Sequence, residues 1–388
     1  MVPQAIFPPQ PTPQAALANS LERIRRHYRA FGHRFPTVGE DTRYQLTEND
    51  NWLTGFWPGL LWLAHKATGD EDLREHAEAL LPSFEERLEK RVHINHDLGF
   101  LFTLSGRAQW QVTASREAQM LALRAARELV RCYHPAGRYI QAWGAVGDPE
   151  EGGQIIVDTM MNLPLLFWAS AQTGDACYHE MGKEHAETSL RYLVRPDGAT
   201  YHTFFLDQET GEPLGPRTHQ GYADDSLWAR GQAWAIYGFA LAAEWCQEPR
   251  FLEVAQRAAR RFVNELPPDG VPWWDLRLPE DAPHYPDSSA GAIAAGGMLR
   301  LARFGDEGEE GEFHGPARKL LDSLITRCLE TRPEAQGLLR GGTYNANKGM
   351  GVDTCFICGD YFFLEALLAL EGKAPDFWGP VGSEGGTP

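Results

Sequence analysis

Basic charge is scarce in this chain of 388 residues: 36 Lys and Arg stand against 53 Asp and Glu, a formal net charge of -17. So acidic a surface disfavours nucleic acid and anionic membrane as partners, because both need a basic face. It leaves room for a small anionic ligand held by a few local Arg and His residues. No apolar run reaches the length needed to cross a bilayer. No basic segment followed by an apolar one opens the chain, so the sequence predicts a cytoplasmic protein. The six cysteines (Cys132, Cys177, Cys246, Cys328, Cys355, Cys358) are scattered. A chain able to bury a large apolar core needs no disulfides. Cys355-Phe356-Ile357-Cys358 is a lone pair without the second pair or His partners of a zinc site, and reads as buried thiols. Gly-rich phosphate loops, HExxH and GxSxG are missing as well. The expectation is no metal and no cofactor.

What is present is a repeat. Six stretches begin with Asp and run into an aromatic-rich apolar helix, starting at Asp50, Asp97, Asp158, Asp225, Asp287 and Asp360. Their spacing, roughly 50 to 70 residues, is that of a helical array. Asp is a favoured N-cap, so capping is the first expectation for any single one of them. Six charged, amphipathic helices alternate with them, over about 15–33, 70–91, 113–134, 178–195, 248–266 and 313–331. A helix apolar all round must be enclosed, whereas an amphipathic one can face water. Six enclosed helices inside six amphipathic ones predict an all-α (α/α)6 barrel with short β-hairpins in its loops; an open solenoid would give a similar pattern. No polar linker divides the repeat, so residues 15–372 are expected to form one domain. A Pro/Gln-rich arm would precede it over 1–14 and a loose tail follow over 373–388.

The parallel inner helices should open their N-termini on one face, where a pocket would lie. Two carboxylates there stand apart. Asp97 sits in His93-Ile94-Asn95-His96-Asp97-Leu98-Gly99, with two histidines nearby. Asp158 follows Ile155-Ile156-Val157, and a carboxyl among apolar neighbours has its proton affinity raised by desolvation, which suits a general acid. Trp, His and Arg crowd the loops around them. Trp faces stack on sugars and an Arg fork grips a carboxylate. Trp228 and Trp234 are six residues apart and do not share a helix face directly, so at least one is expected to pack in the core.

Taken together, GFWPGLLWL, HDLGFLFTLS, IQAWG, DPEEGGQIIVD, NLPLL, YHTFF, THQG, WARGQAWAIYGFAL, DSSAGAI and GDYFFLEALL resemble the unsaturated glucuronyl hydrolases of glycoside hydrolase family 88. The resemblance runs from about Leu21 to Leu370. It implies an (α/α)6 glycosidase acting on polysaccharide-lyase products, whose terminal uronic acid carries a C4=C5 double bond. By position, Asp158 matches the family's general acid/base and Asp97 the second essential carboxylate. His202, Gln220, Trp228, Arg230 and Trp234 match substrate-binding positions, with Trp143 in the pocket wall and Arg230 as partner of the substrate carboxylate. Trp52 is grouped with these binding residues.

Departures are visible at Thr54, where the family often has Asp or Asn, and at Cys358, where it often has Trp. The Ser-x-x-Ser-x-Lys segment of members that accept sulfated disaccharides is replaced by Asn345-Ala346-Asn347-Lys348-Gly349-Met350, with Lys348 offering a displaced charge. The expected partner is an unsaturated uronic-acid di- or oligosaccharide, and the expected assembly a monomer or weak homo-oligomer. Rival readings are an unsaturated rhamnogalacturonyl hydrolase, a sugar 2-epimerase, and a non-catalytic sugar-binding protein on the same barrel.

Overall fold

Helix pairs follow one another around a ring, an amphipathic outer member and then an apolar inner one. The computed structural model describes residues 11–305 and 311–381. The first pair is α1 (Pro13–Phe31) and α2 (Phe56–Thr68). In the second, α3 (Glu71–Glu89) precedes α4 (Leu98–Phe102) and α5 (Ala108–Thr113), which a π-helical turn at Thr103–Arg107 joins into one inner rod. Then come α6 (Arg116–Val130) with α7 (Leu163–Thr173), and α8 (Ala176–Tyr192) with α9 (Ala229–Cys246). The ring ends with α10 (Pro249–Asn264) and α11 (Ser288–Ala302), then α12 (His314–Arg327) and α13 (Ile357–Leu370). Helix α13 packs on both α2 and α1, so last pair meets first. That contact makes the array a closed (α/α)6 barrel and excludes the open solenoid.

Capping runs opposite to the expectation from the sequence. Side-chain caps sit on outer helices: Thr12 on α1, Asp70 on α3, Ser115 on α6 and Asp175 on α8. Among the six Asp-led inner starts, only Asp287 caps its helix, accepting from the Ser289 N–H. Asp360 lies inside the first turn of α13 and accepts instead from the backbone N–H groups of Leu338 and Leu339 and from the Tyr44 hydroxyl. Outer helices start in solvent-facing turns, where a local side chain is the nearest acceptor. Inner helices start beneath loops, and their carboxylates meet partners from elsewhere in the chain.

Among the described residues, seven short strands lie in those loops. β1 (Phe35–Glu40) and β2 (Arg43–Thr47) form a hairpin, as do β3 (Tyr133–His134) and β4 (Tyr139–Ile140). The sheet of β5 (Gln154–Ile156), β6 (Thr203–Leu206) and β7 (Pro213–Arg217) is antiparallel, with Ile156 opposite Thr203 and Thr203 opposite Arg217.

An aromatic column fills the middle of the ring. Phe100 lies 5.2 Å from Trp234, Trp234 lies 5.3 Å from Phe362, and Trp378 stacks on Phe362 at 6.1 Å. Trp378 belongs to the stretch assigned from sequence to a loose tail, and the structure corrects that reading up to residue 381. Trp378 is fully buried and donates its indole N–H to Glu365 Oε1 at 3.0 Å, while its carbonyl accepts from Arg107 and Trp245. Asp376 pairs with Arg300 at 2.6 Å. The segment closes the barrel at the C-terminal ends of the inner helices. The rest of the expected tail, 382–388, and residues 1–10 of the expected arm lie outside the described residues; α1 already starts at Pro13.

The buried thiols expected at Cys355 and Cys358 are found there, and all six cysteines are free, with Cys177 exposed. No described helix is long and apolar enough to cross a membrane. Replacing the plug by Trp378→Ala should cost about 3–5 kcal/mol, as for other buried Trp truncations, and lower the melting temperature in calorimetry.

Candidate active site

The inner-helix N-termini open into a cavity of about 530 Å³, lined among others by Trp52, His96, Asp97, Trp143, Asp158 and His202. That volume suits a small ligand of a few rings. Asp97 and Asp158 share it because two chain segments touch. A Cβ on Gly99, at the start of α4, would stand 2.3 Å from Asn162 Cα, so only glycine lets α4 approach the turn that leads into α7. Asp158 lies in that turn, a 3₁₀ segment at Val157–Met161 that follows β5 directly. Neither carboxylate caps its helix, so both are available to a ligand.

Burial raises both proton affinities. Asp97 is pushed up to about 7 by desolvation, against the lowering pull of Arg87, Asn95 and His93. Asp158 is also pushed up to about 7 by desolvation; Arg230 lowers it and the Asp97 charge raises it further. The indole N–H of Trp234 lies near enough to favour the ionised form of Asp158 without closing a hydrogen bond of normal geometry. Two such carboxyls titrate as a pair, which holds one proton near neutrality.

Neutral donors surround them. His202 follows from the sheet register: Ile156 pairs with Thr203, and Val157 N–H donates to the His202 carbonyl, which brings His202 to the cavity that Asp158 lines. Its Nδ1 accepts from the backbone N–H groups of His219 and Gln220 at 3.2 and 3.3 Å. Burial holds the ring far below its ordinary proton affinity. A neutral ring whose Nδ1 accepts carries its proton on Nε2, a donor for the cavity. Gln220 Oε1 accepts from Arg230 at 3.2 Å, which turns its NH₂ the other way. Trp143 has its carbonyl held by Gln141 Nε2 and its ring edge-on to His219 at 4.8 Å. Lys348 stands at the rim, in a 3₁₀ turn whose Asn345 side chain accepts the Lys348 N–H.

Arg230 is placed differently from the sequence expectation. Its side chain is fully buried and pairs with Asp287 at 2.7 Å. It also donates to the carbonyls of Thr343 and Tyr344, at 2.8 and 2.7 Å. The fork expected for a ligand carboxylate is thus engaged by the protein, because the helix turns position 230 inward toward α11. Arg230 stacks on Trp228 at 4.6 Å, and Trp228 lies 4.1 Å from His202. Trp228 and Trp234, matched to substrate-binding positions with at least one expected to pack, are both buried behind the wall; Trp52 and Trp143 are the tryptophans that line it.

Sequence reading missed several lining residues: His219, Gln154, Glu150, Glu151 and Tyr344. Four of them stood in the quoted strings THQG and DPEEGGQ, but nothing local marked their direction. No group of three or more His, Cys, Asp or Glu able to hold a metal ion occurs among the described residues.

The sequence model of Glycosyl Hydrolase Family 88 matches residues 24–368. The chain is 44% identical over 370 residues to an unsaturated glucuronyl hydrolase of Bacillus sp. (strain GL1), covering 94% of this chain and 98% of that one. It is 38% identical to an unsaturated chondroitin disaccharide hydrolase of Streptococcus pyogenes serotype M1, covering 94% and 92%. The crystal structure of the Bacillus sp. GL1 enzyme superposes with a TM-score of 0.93 at 43% identity, over 96% of this chain and 100% of that one. Another solved structure, also at 0.93 and 43% with the same coverage, is named for the saccharide dGlcA-Glc-Rha-Glc.

Two outcomes follow for stability. Both carboxyls rise from 3.8 to about 7 on folding. The folded chain therefore holds protons that the unfolded chain releases between about pH 4 and 7. Their contribution is present below the unfolded value and lost as pH rises through the folded one. Asp97→Asn and Asp158→Asn should each be more stable than wild type at pH 8, by on the order of 1–3 kcal/mol, with the gain gone at pH 4 in thermal melts. Arg230→Ala, which strips Asp287 of its buried partner, should cost about 3–5 kcal/mol in urea unfolding, not ligand affinity alone.

Proposed function

The chain belongs to Glycosyl Hydrolase Family 88, and from that premise we propose that it removes the terminal 4,5-unsaturated uronic acid from oligosaccharides made by polysaccharide lyases. The observation that carries this reading is the carboxyl pair, Asp97 and Asp158, both raised to about 7 in one cavity among neutral donors. Such a pair supplies a proton at neutral pH and then a base.

The substrate is an enol ether bearing a carboxylate. Asp158 delivers its proton to C4, and positive charge develops at C5 and the ring oxygen. The ionised Asp158 then takes a proton from water as the oxygen adds to C5. The hemiketal so formed opens and expels the remaining sugar. Asp97, as carboxylate, repels a second negative charge on Asp158 and so keeps the acid loaded. His202 Nε2–H, the Gln220 amide and Lys348 are the donors for an anionic sugar. Arg230 acts through them, by orienting Gln220 and by backing Trp228 and His202. Trp52 and Tyr344 also line a second cavity of about 490 Å³, in which Glu40 is the one charged lining residue among those described. That is the side for the following sugars, and its charge favours neutral ones over sulfated ones.

The test is loss of the ultraviolet absorbance of the conjugated acid, read over lyase products of chondroitin, hyaluronan, heparin, gellan, xanthan and ulvan. Release of a saturated sugar without that loss, or no loss on any product, would defeat the reading. Asp158→Asn should lower turnover by at least a hundredfold to ten-thousandfold while circular dichroism stays unchanged. In the wild type, kcat/KM should fall tenfold per unit above about pH 7, where the pair loses its proton.

A further inference from the structure

A buried amide four residues after Asp158 fixes a proton on the histidine beside Asp97. The Phe100 N–H donates to Asn162 Oδ1 at 2.6 Å, which settles the amide's orientation. Asn162 Nδ2 therefore points the other way and donates to His96 Nδ1 at 3.3 Å; Thr159 Oγ1 lies 3.0 Å from the same nitrogen. An NH₂ group only donates, so His96 Nδ1 must accept. Burial keeps His96 neutral, down to about 3. A neutral imidazole whose Nδ1 accepts carries its proton on Nε2, and Nε2 faces Asp97 Oδ1 at 3.5 Å. Asn162 Nδ2 also reaches the Asp158 carbonyl at 3.5 Å, so the amide is tied to the turn that carries the other carboxyl.

We propose that Asn162, by fixing the tautomer of His96, decides which member of the carboxyl pair keeps the shared proton: His96 Nε2–H holds Asp97 ionised, and the proton stays on Asp158. The inference rests on the assignment of Asp158 as the acid. Asn162 and His96 are positioning residues, acting through Asp97. Other groups face the pair from several elements. Arg87 on α3 and the loop residues His93 and Asn95 also favour ionised Asp97. Arg230 on α9 and the Trp234 N–H favour ionised Asp158, while the Asp97 charge opposes it. Of the groups that face the pair, the His96 N–H is the one whose presence on the Asp97 side Asn162 decides.

Without that donor, the Asp97 anion is less stable and competes for the proton. The productive form, protonated on Asp158, becomes scarcer, and the pair as a whole binds its proton more tightly. His96→Leu should therefore lower the plateau of kcat/KM about tenfold for each unit gained by Asp97 and move the alkaline limb to higher pH. His96→Gln, which can place an N–H near the Nε2 position, should restore both. Purely structural damage would lower the plateau and leave the limb in place, and that result would overturn the proposal.

Spectroscopy separates this inference from the functional reading. In ¹⁵N-histidine-labelled wild type, His96 should show the neutral Nε2–H pattern from pH 5 to 8; an Nδ1–H or doubly protonated ring would overturn the proposal. Asn162→Ala removes the amide donor, so the His96 pattern should change; persistence of the wild-type pattern would also overturn it. In ¹³C-aspartate spectra, assigned with Asp97→Asn and Asp158→Asn, Asp158 should remain protonated to higher pH than Asp97, and the reverse order would defeat it. These readouts need no substrate, so they stand or fall apart from any absence of activity on unsaturated sugars.

Discussion

Two largely desolvated carboxyl groups in one cavity cannot both be charged at low cost, and the rest of the site is arranged around that constraint. Desolvation lifts Asp97 and Asp158 together to about 7, and the charge of Asp97 lifts Asp158 further. A third or fourth charged group in contact would settle the pair outright. The side chains that line the cavity beside them are neutral instead: His96 and His202 have been driven below their ordinary proton affinity by burial. Arg87 and Arg230 stand behind the wall, each held by backbone carbonyls, where their fields reach the carboxyls without neutralising them through direct contact. The result is a pair that holds one proton at neutral pH.

The barrel supplies the rigidity this requires. Phe56, Phe100, Trp234 and Phe362 meet at the centre of the ring, and Trp378 seals the far end, so the first turns of the inner helices rest on a packed aromatic floor. A second buried ionic group lies at that closed end, where Arg300 joins Glu244 and Asp376. Its task is to fasten the final segment to the ring. The two ends thus use the same residue types differently. At the closed end opposite charges touch; at the open end Asp97 and Asp158 are left without a contacting Arg or Lys, while Asp287 is paired with Arg230.

Much of the fold was legible in the chain. Apolar periodicity separated α13, buried along nearly its whole length, from amphipathic α10, and the alternation of the two kinds pointed to the barrel, with closure decided by the contact of α13 with α1 and α2. Asp97 and Asp158 stood out by their neighbours, and the resemblance to family 88 singled out the same pair. The roles of the other Asp-led starts were misjudged, since Asp287 alone caps and Asp360 holds a loop. Residues 373–381 were misjudged too, because a short Gly- and Pro-rich stretch reads as loose until Trp378 is seen to fill the barrel.

By itself the sequence determined which helices are enclosed, how many pairs there are, and that acidic and aromatic residues gather at the inner helix starts. Periodicity and composition are local properties, and they survive without knowledge of contacts. Only the tertiary structure decided where each polar side chain points. Arg230 turned out to brace the wall, Trp228 and Trp234 to pack behind it, and Asn162 to reach the histidine beside Asp97. Those outcomes depend on hydrogen-bond partners 57 to 114 residues away in sequence, such as Asp287 and Tyr344 for Arg230 and Phe100 for Asn162. No local pattern encodes such a partner, because a buried donor takes whichever acceptor the closed ring brings within reach.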